Sequence, residues 1–343
     1  MTPEFAIALA LTLVAGLCQG TFGLGMRRFA PLAWEALWLI FSIVGMLVLP
    51  ITAASFAVPD PLAAIAAAPR DAVAKCAVFA FIWGVSSITF GLALNYLGVS
   101  LGYGIAVGLA AAVGSLIPLF QLPDAWSRPA TPWIILGNAI MVGGVAVVTW
   151  AGIVRDGEIA RGGQDVAGIQ RGRLFWIGLA FCLFSAFGAA MLNVAFAAAQ
   201  PIAEAAIRQG AAPHNASLAC WVAVFASGVI PNAGYALWLL CTKGTFRTYA
   251  APRALKGYGW ALFTAVLWFA ALALYGQGAA MMGDLGTSLA WTMFLAISLV
   301  VSGGWGIGTG EWRGMPSPLR ILIAGDAVLL VSWIVLGYAN SLR

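Results

Sequence analysis

The sequence predicts an all-α integral membrane protein whose ten transmembrane helices form two inverted five-helix repeats. Three observations carry this prediction: an apolar composition, ten long apolar runs, and a similarity between the two halves of the chain. Hydrophobic residues make up 62% of the 343 positions and charged residues only 8%, whereas a soluble domain carries about 25% charged residues. A soluble fold needs a polar surface, and a lipid environment removes that need.

The spans follow from length, because a helix needs roughly 20 apolar residues to cross a bilayer. Prolines support several of the ends: Pro59 and Pro61 follow the second run, and Pro316 and Pro318 precede the tenth. The predicted spans cover residues 5–24, 36–57, 74–96, 99–120, 132–153, 174–199, 215–240, 258–279, 285–307 and 319–339.

Basic residues predict the orientation. The loops on one side of the predicted bundle carry twelve of the 17 basic residues and the loops on the other side carry five. The positive-inside rule places the richer side in the cytoplasm, so both termini are expected outside it. The net charge of +5 is then a property of these loops and does not indicate a nucleic-acid partner. The polar segment 154–173 is the longest cytoplasmic loop, and it divides the chain into a first repeat, 1–153, and a second, 174–343.

The repeat is visible as a constant offset of 185 positions between the third and eighth spans. Trp83 pairs with Trp268, Phe90 with Tyr275, Gly91 with Gly276, and Gly98 with Gly283. The last spans match as well, with Asn138 opposite Asp326. Because each half has an odd number of spans, the second copy enters the membrane upside down. Inverted repeats are typical of transporters, whose substrate site lies near the midplane between the repeats.

Other function classes lack their motifs. The five cysteines are odd in number and form no C-x-x-C pattern, and His214 is the single histidine, so we expect no metal site and no cofactor. A P-loop for ATP is absent from the sequence. No nucleophile–base constellation points to an enzyme, and no charged ring points to a channel.

Residues 83–108 read WGVSSITFGLALNYLGVSLGYGIAVG, with further matches at Trp34-Glu35, 184–206 and Glu311-Trp312. This pattern resembles the L-rhamnose–proton symporter family, within the drug/metabolite transporter superfamily. The resemblance implies a carrier of the bacterial inner membrane that imports a deoxy sugar, L-rhamnose in the first place, by proton symport with alternating access. The alternative is a metabolite or drug exporter of the same superfamily. The sequence departs from the family pattern at Ser87, Thr89, Asn95, Ala271 and Asp326, and these positions bear on which sugar is bound and how it is coupled.

A sugar site needs aromatic rings for C–H faces and neutral polar groups for hydroxyls. Trp83, Ser87 and Phe90 share one helical face, and Trp268 and Tyr275 form the matching face of the other repeat. The alternative for these rings is packing in the core or at the lipid interface. The predicted substrate-binding residues are Trp83, Ser87, Phe90, Asn138, Ser185, Asn193, Trp268, Tyr275, Gln277 and Trp291.

Proton coupling needs a titratable group inside the membrane, and two acids are candidates. Asp326 lies about seven residues, roughly 10 Å, into the last span, and Glu35 lies at the start of the second. The alternative for Asp326 is a structural bond to Asn138, and for Glu35 a surface salt bridge to Arg27 or Arg28. The residues alone leave open the direction of transport and the choice of H⁺ or Na⁺. The expected partners are a small sugar, a proton and membrane lipid.

Overall fold

The computed structural model describes residues 3–162 and 172–342, and every regular element in these two ranges is a helix. The twelve α-helices are α1 (Pro3–Phe22), α2 (Trp34–Ile43), α3 (Leu49–Ala57), α4 (Pro61–Ala67), α5 (Arg70–Phe120), α6 (Thr131–Arg161), α7 (Arg173–Ala198), α8 (Gln200–Arg208), α9 (Pro213–Lys243), α10 (Ala254–Met281), α11 (Gly286–Gly308) and α12 (Pro316–Ser341). Nine helical stretches in the described part of the chain are long and apolar enough to cross a bilayer.

Helix α5 is two helices joined at Gly98, whose φ of 72° and ψ of 163° are not helical. The rings of Phe90 and Tyr103 lie 6.1 Å apart, although thirteen residues of straight helix would separate them by about 20 Å. A β-carbon on Gly102 would likewise lie 3.8 Å from the Cα atom of Leu94. The chain therefore turns back on itself at Gly98. We call the arm before this glycine α5a (70–97) and the arm after it α5b (99–120).

Helices α2 and α3 form one continuous stretch, Trp34–Ala57, interrupted by a π-helical turn at Val44–Val48. The turn immediately precedes Pro50, which has no N–H for the backbone ladder and so favours such an irregularity. Helix α9 also carries an internal proline, Pro231. The second long stretch of each half therefore carries a proline in its interior, close to the cavity described below.

The two halves interlock. Helix α1 packs on α10 and α11, and α7 packs on both arms of α5, while α6 pairs with α12 and both α2 and α3 pack on α9. Glycines allow the close approaches: a β-carbon on Gly20 of α1 would lie 2.6 Å from the carbonyl oxygen of Ser298 in α11. Small residues at such contacts are how helices associate in lipid, where no hydrophobic force drives them together.

Helix α6 is longer than predicted. The sequence suggested that the fifth span ends at residue 153, but the helix continues to Arg161. Its added turns contain Arg155, Asp156 and Glu158, and charged residues do not stop a helix that has left the bilayer. The first part of the predicted loop 154–173 is therefore helical, and residues 163–171 lie outside the described ranges.

Candidate functional site

A cavity of about 490 Å³ lies between α1, α2, α5, α9, α10 and α11, so that both halves of the chain contribute to its wall. Its aromatic lining consists of Phe22, Trp34, Trp38, Phe41, Trp83, Phe90, Tyr103, Tyr235 and Trp268. Its further polar side chains are Gln19, Ser87, Asn232, Ser298 and Ser302. None of the described residues that line it carries a charge. The arrangement suits a neutral ligand with apolar faces, because a charged group would be costly to bury there.

Trp83 and Trp268 meet inside this cavity. Their ring centroids are 6.1 Å apart and their planes differ by 10°. Each ring is admitted by a glycine of a neighbouring helix: a β-carbon on Gly228 would lie 2.7 Å from the Trp83 ring, and one on Gly45 would lie 3.4 Å from the Trp268 ring. Two residues that the sequence matched across the repeats, at an offset of 185 positions, are thus in direct contact.

A second aromatic pair lines the mouth of the cavity. Trp34 is 42% exposed, and its ring stacks on Trp38 at 5.2 Å with planes 12° apart. Trp38 contacts Phe41 at 5.0 Å, and Phe41 contacts Trp268 at 5.0 Å. Because Trp34, Trp38 and Phe41 are spaced by four and three residues on α2, they form one face of that helix. A continuous aromatic wall leads from the mouth to the Trp83–Trp268 pair.

Asn232 is the polar centre of the wall. Its Oδ1 atom accepts hydrogen bonds from Ser87 Oγ at 2.7 Å and from Trp38 Nε1 at 3.3 Å, and its Nδ2 atom donates to the carbonyl oxygen of Gly228 at 2.9 Å. The amide orientation is determined, since an indole N–H can only donate. Sequence reasoning missed Asn232. The available signal was the position of this asparagine, directly after Pro231 and deep in a predicted span, where a polar side chain needs a partner.

Gln19 adds a polar atom with no protein partner. Its Oε1 atom is buried and accepts no hydrogen bond from any described residue, although the side chain lines the cavity. A buried acceptor without a donor costs free energy, of the order of 1–3 kcal/mol. A ligand hydroxyl could supply the missing donor.

The half of the bundle that holds the beginnings of α9 and α11 is closed by aromatic packing. Phe196, Trp221, Phe225, Tyr275 and Phe294 are all at most 1% exposed and contact one another through their rings. The cavity lies instead beside the end of α1, the beginning of α2 and the end of α9. These are the ends connected by the basic loops.

Four predicted substrate residues line the cavity, namely Trp83, Ser87, Phe90 and Trp268. The structure places the other six elsewhere, with protein partners. Ser185 donates to the carbonyl oxygen of Ser86, and Gln277 donates to Asn215 Oδ1. Trp291 donates to the carbonyl oxygen of Ala110. Asn193 Nδ2 donates to the carbonyl oxygens of Gly114 and Thr287, and Asn193 Oδ1 accepts from the Tyr275 hydroxyl. These bonds join helices in the interior of the bundle.

Asn138 is also satisfied within the protein. Its Nδ2 atom donates to Ser115 Oγ at 2.9 Å and to the carbonyl oxygen of Ile134 at 2.9 Å, and its Oδ1 atom accepts from Thr292 Oγ1 at 2.8 Å. The expected alternative of a bond between Asn138 and Asp326 is therefore wrong, because these nearer groups occupy the amide.

Asp326 points toward α11 at Gly303. A β-carbon on Gly303 would lie 3.2 Å from Asp326 Oδ2. Oδ1 is buried and has no hydrogen-bond partner among the described residues. The absence of a side chain at Gly303 therefore makes room for this carboxyl group, which is otherwise surrounded by the packing of α12 on α6 and α11.

Glu35 is only 3% exposed. Its carboxylate accepts from Lys243 Nζ at 3.3 Å, at the end of α9, and from Thr245 Oγ1 at 2.7 Å, in the turn that follows. The expected surface salt bridge to Arg27 or Arg28 is wrong. Arg27 instead pairs with Glu311, and the Arg28 guanidinium lies over the ring of Trp260 at 5.3 Å. The chain between residues 28 and 34 turns Glu35 away from both arginines and toward α9.

A second, smaller cavity of about 180 Å³ adjoins the first. Tyr103 and Ser302 line both, and Gly303 lines the smaller one. It is bordered by Arg27, Arg155 and Glu311, so unlike the first cavity it is charged. Gly303, which makes room for the Asp326 carboxyl group, lines this smaller cavity, whereas Asp326 itself does not.

Glu311 is the carboxylate of this charged border. It pairs with Arg27 and accepts from Arg155 Nη1 at 3.4 Å. Burial raises the pKa of the Glu311 carboxyl, but hydrogen bonds from Arg27 and Thr309 and the charges of both arginines outweigh it and hold the pKa below its ordinary value. Glu311 is thus ionised at neutral pH and ties the loop after α11 to the ends of α1 and α6.

Comparison with known proteins matches this architecture to one family. The family model described as "L-rhamnose-proton symport protein (RhaT)" matches residues 1–341. Proteins named "L-rhamnose-proton symporter" are similar over almost the whole chain. The one from Mannheimia succiniciproducens is 26% identical over 321 residues, covering 91% of each chain. Those from Pectobacterium atrosepticum and Yersinia pestis are each 24% identical, covering 89% and 98% of each chain, respectively. The chain belongs to the L-rhamnose-proton symport protein family.

Proposed function

We propose that this chain imports L-rhamnose together with a proton across the bacterial inner membrane by alternating access. The observation that carries the proposal is the uncharged, aromatic-lined cavity between the two halves of a chain whose relatives are named L-rhamnose-proton symporters. Family membership supports a transporter rather than an enzyme. The names of the relatives also favour import over the exporter that the residues alone left open.

The proposed architecture has ten spans in two inverted repeats. The reversal at Gly98 supports two crossings within α5, one in each arm. The packing supports the repeat, because exchanging the halves pairs equivalent contacts: α1 on α10 and α11 corresponds to α7 on α5a and α5b. The pair α6–α12 corresponds to itself. Such an exchange is what two copies related by an axis in the membrane plane produce.

We propose that in this conformation of the protein the cavity opens toward the cytoplasm. The cavity lies beside the basic loops, and the opposite half is closed by the packed aromatic rings that include Phe196 and Tyr275. If the basic loops are cytoplasmic, the sugar leaves the cavity on that side. The opposite state then requires the cluster to separate while the mouth at Trp34 closes, a rocking of one half against the other.

In this proposal the sugar binds to the aromatic wall and to the neutral polar groups facing it. The indoles of Trp83 and Trp268, with Phe90 nearby, cover the apolar C–H face of a 6-deoxy sugar. Ser87 and Gln19 face its hydroxyl groups. The other predicted residues, such as Asn193 and Tyr275, hold the helices around the site. A methyl group in place of the 6-hydroxyl makes L-rhamnose well suited to a wall with few polar groups.

Coupling in this proposal is assigned to Asp326. Its Oδ1 atom has no hydrogen-bond partner among the described residues, and the carboxyl group lies against Gly303, which lines the charged cavity. That cavity gives a proton a polar route from the basic end of the bundle. Ser302, the neighbour of Gly303, lines the sugar cavity. One stretch of α11 thus borders both the proposed proton site and the proposed sugar site.

The test is ligand-induced thermal stabilisation of the purified protein, because a ligand that binds the folded state raises its melting temperature. L-Rhamnose should raise it more than L-fucose or D-glucose does. Trp83→Ala and Trp268→Ala should each weaken binding about tenfold, equivalent to about 1.4 kcal/mol of lost ring contact.

Trp176→Ala is the matched control, since Trp176 is 68% exposed on α7 and away from the cavity. Unchanged affinity in both cavity variants would remove these tryptophans from the site. Absence of any stabilisation by L-rhamnose, together with absence of uptake, would overturn the proposed function.

A further inference from the structure

We infer that Asn232 makes Ser87 an acceptor-only contact, so that the site reads one hydroxyl group of the sugar as a hydrogen-bond donor. This inference rests on the proposed function, because it assigns specificity within the proposed sugar cavity. Asn232 acts as a positioning residue: it belongs to the cavity wall, but its side chain is fully buried, and we assign its effect on the ligand to the Ser87 hydroxyl that it holds.

The hydrogen-bond inventory of Ser87 carries the first step. A serine hydroxyl has one hydrogen and two lone pairs. Two acceptors converge on that hydrogen, the carbonyl oxygen of Gly84 at 2.7 Å and Oδ1 of Asn232 at 2.7 Å. The first acceptor belongs to α5 and the second to α9, while Ser87 itself lines the cavity. The hydrogen is thus held in the protein, and the oxygen presents lone pairs to the ligand.

The orientation of Asn232 carries the second step. If its amide were reversed, Nδ2 would donate to Ser87, and only the carbonyl oxygen of Gly84 would compete with a ligand for the serine hydrogen. The indole N–H of Trp38 prevents this reversal, because it donates to Oδ1 at 3.3 Å and cannot accept. The carbonyl oxygen of Gly228 accepts from Nδ2 at 2.9 Å and fixes the other end. Three helices, α2, α5 and α9, therefore determine the polarity of one hydroxyl group.

The surroundings carry the third step. Trp83 lies one helical turn before Ser87, and Phe90 lies three residues after it on the same face. A sugar whose C–H face lies on these rings must place a hydroxyl group toward Ser87, and that hydroxyl must donate. A ligand with hydrogen or an acceptor-only substituent at that carbon cannot make the bond. Burying the Ser87 acceptor without a donor then costs affinity.

The experiment measures binding of L-rhamnose and of its monodeoxy and monofluoro analogues to the purified protein. Fluorine replaces a hydroxyl in size but cannot donate a hydrogen bond. With the unsubstituted protein, changing the hydroxyl group at one position of the sugar ring should lower the binding affinity about tenfold, both for the deoxy and for the fluoro analogue. This loss corresponds to about 1.4 kcal/mol. Equal losses identify a hydroxyl that is read as a donor.

Two variants test whether Ser87 and Asn232 cause the loss of affinity at that ring position. In Ser87→Ala, L-rhamnose should bind about as weakly as the two analogues do, with no further loss for them. In Asn232→Leu, the discrimination at the same position should shrink, because the serine hydrogen and the Trp38 ring lose their anchor. Ser298→Ala is the matched control: Ser298 lines the cavity from α11, and its loss should leave discrimination at that position intact.

The outcomes separate the two proposals. A fluoro analogue that binds like L-rhamnose, while the deoxy analogue does not, would show that the site donates and would overturn the inference. Full discrimination retained in Ser87→Ala or in Asn232→Leu would also overturn it. Both results leave L-rhamnose transport itself in place. A protein that binds none of these sugars would overturn the proposed function and this inference together.

Discussion

Asp326 carries its carboxyl group into the bundle where α12 passes Gly303 of α11. Oδ1 has no hydrogen-bond partner among the described residues. An uncompensated carboxylate is expensive at membrane depth, so such a group holds a proton or finds a partner during the functional cycle. A carrier can use that choice: the protonated form is free to change its facing, whereas the ionised form waits for a proton.

We predict that Asp326→Asn binds L-rhamnose and exchanges it across a membrane but loses uptake driven by a pH gradient. Asparagine imitates the protonated acid in shape and charge, so the cycle should no longer need a proton. The measurement is uptake into proteoliposomes, with and without a gradient, beside equilibrium exchange. Glu35→Gln is the parallel variant. Full gradient-driven uptake by Asp326→Asn would exclude Asp326 and turn attention to Glu35.

The periodicity of α5 was enough to bring Trp83, Ser87 and Phe90 to one face, and the repeat added Trp268. Asn232 was beyond reach, because its partners Ser87 and Trp38 lie 145 and 194 positions away in the sequence. A polar residue in the middle of a predicted span indicates that it needs a hydrogen-bond partner, but not which residue that partner is. Asn138 was expected to face the substrate for that reason, yet its side chain is bonded to residues of two other helices, Ser115 of α5 and Thr292 of α11.

Gly98 determines how α5 divides. Its φ of 72° with ψ of 163° belongs to a region that is essentially restricted to glycine, where other residues are strained by about 1–3 kcal/mol. The turn has no loop on either side, so the strain cannot spread into flexible residues. The close contact between Phe90 and Tyr103, which line the cavity, depends on this one residue.

We therefore predict that Gly98→Ala lowers the melting temperature and the yield of monodisperse protein. Gly143→Ala serves as the control. It adds the same methyl group to α6, where no atom lies within 4 Å of the new carbon, and alanine is the better helix former. Equal melting temperatures for the two variants would contradict the role given to Gly98.

Glu35 joins the beginning of α2 to the end of α9. Its carboxylate is buried, whereas Lys243 is half exposed, so losing the lysine leaves a poorly compensated charge. Lys243→Met should destabilise the protein by about 1–3 kcal/mol, the cost of a buried group that has lost its partner. Lys256→Met is the control, because Lys256 is exposed at the start of α10. The melting temperatures of both variants provide the measurement.

Glu35→Gln added to Lys243→Met should restore much of the lost stability, since the neutral amide can still accept from Thr245. A double variant no more stable than Lys243→Met would show that the charge of Glu35 is not the cause.

Hydropathy predicted where helices lie in lipid more reliably than where they end. The end of α6 was placed at residue 153 because polar residues begin there, but the helix runs to Arg161. The reason is physical: an apolar run reports the thickness of the bilayer, whereas a helix in water continues as long as its backbone bonds and side chains allow. The division of α5 was predicted from length alone, since two spans of apolar residues could not fit a single crossing.

The orientation that the basic loops predict has a natural probe. Cys241 is exposed near the end of α9, next to the basic loop, while Cys76, Cys182 and Cys220 are buried and Cys18 is half-buried. We predict that a membrane-impermeant thiol reagent labels Cys241 only after the cells are permeabilised. Labelling in intact cells would reverse the assignment of the two sides.

The control places a cysteine at the opposite end. Ser127→Cys in a Cys241→Ser background puts an exposed thiol in the short turn before α6. That thiol should react in intact cells. If it is protected there, both termini lie inside rather than outside.

The paired indoles of Trp83 and Trp268 have one further consequence. One ring belongs to each half of the chain, and their planes are nearly parallel at 6.1 Å. Transition dipoles at this distance couple, so the pair contributes a two-signed band to the ultraviolet circular dichroism spectrum. The contribution of this pair depends on the distance between the halves, whereas that of the stacked Trp34–Trp38 pair, which lies within α2, does not. If one half rocks against the other as proposed, the change in this contribution reports the motion by light, without any attached dye.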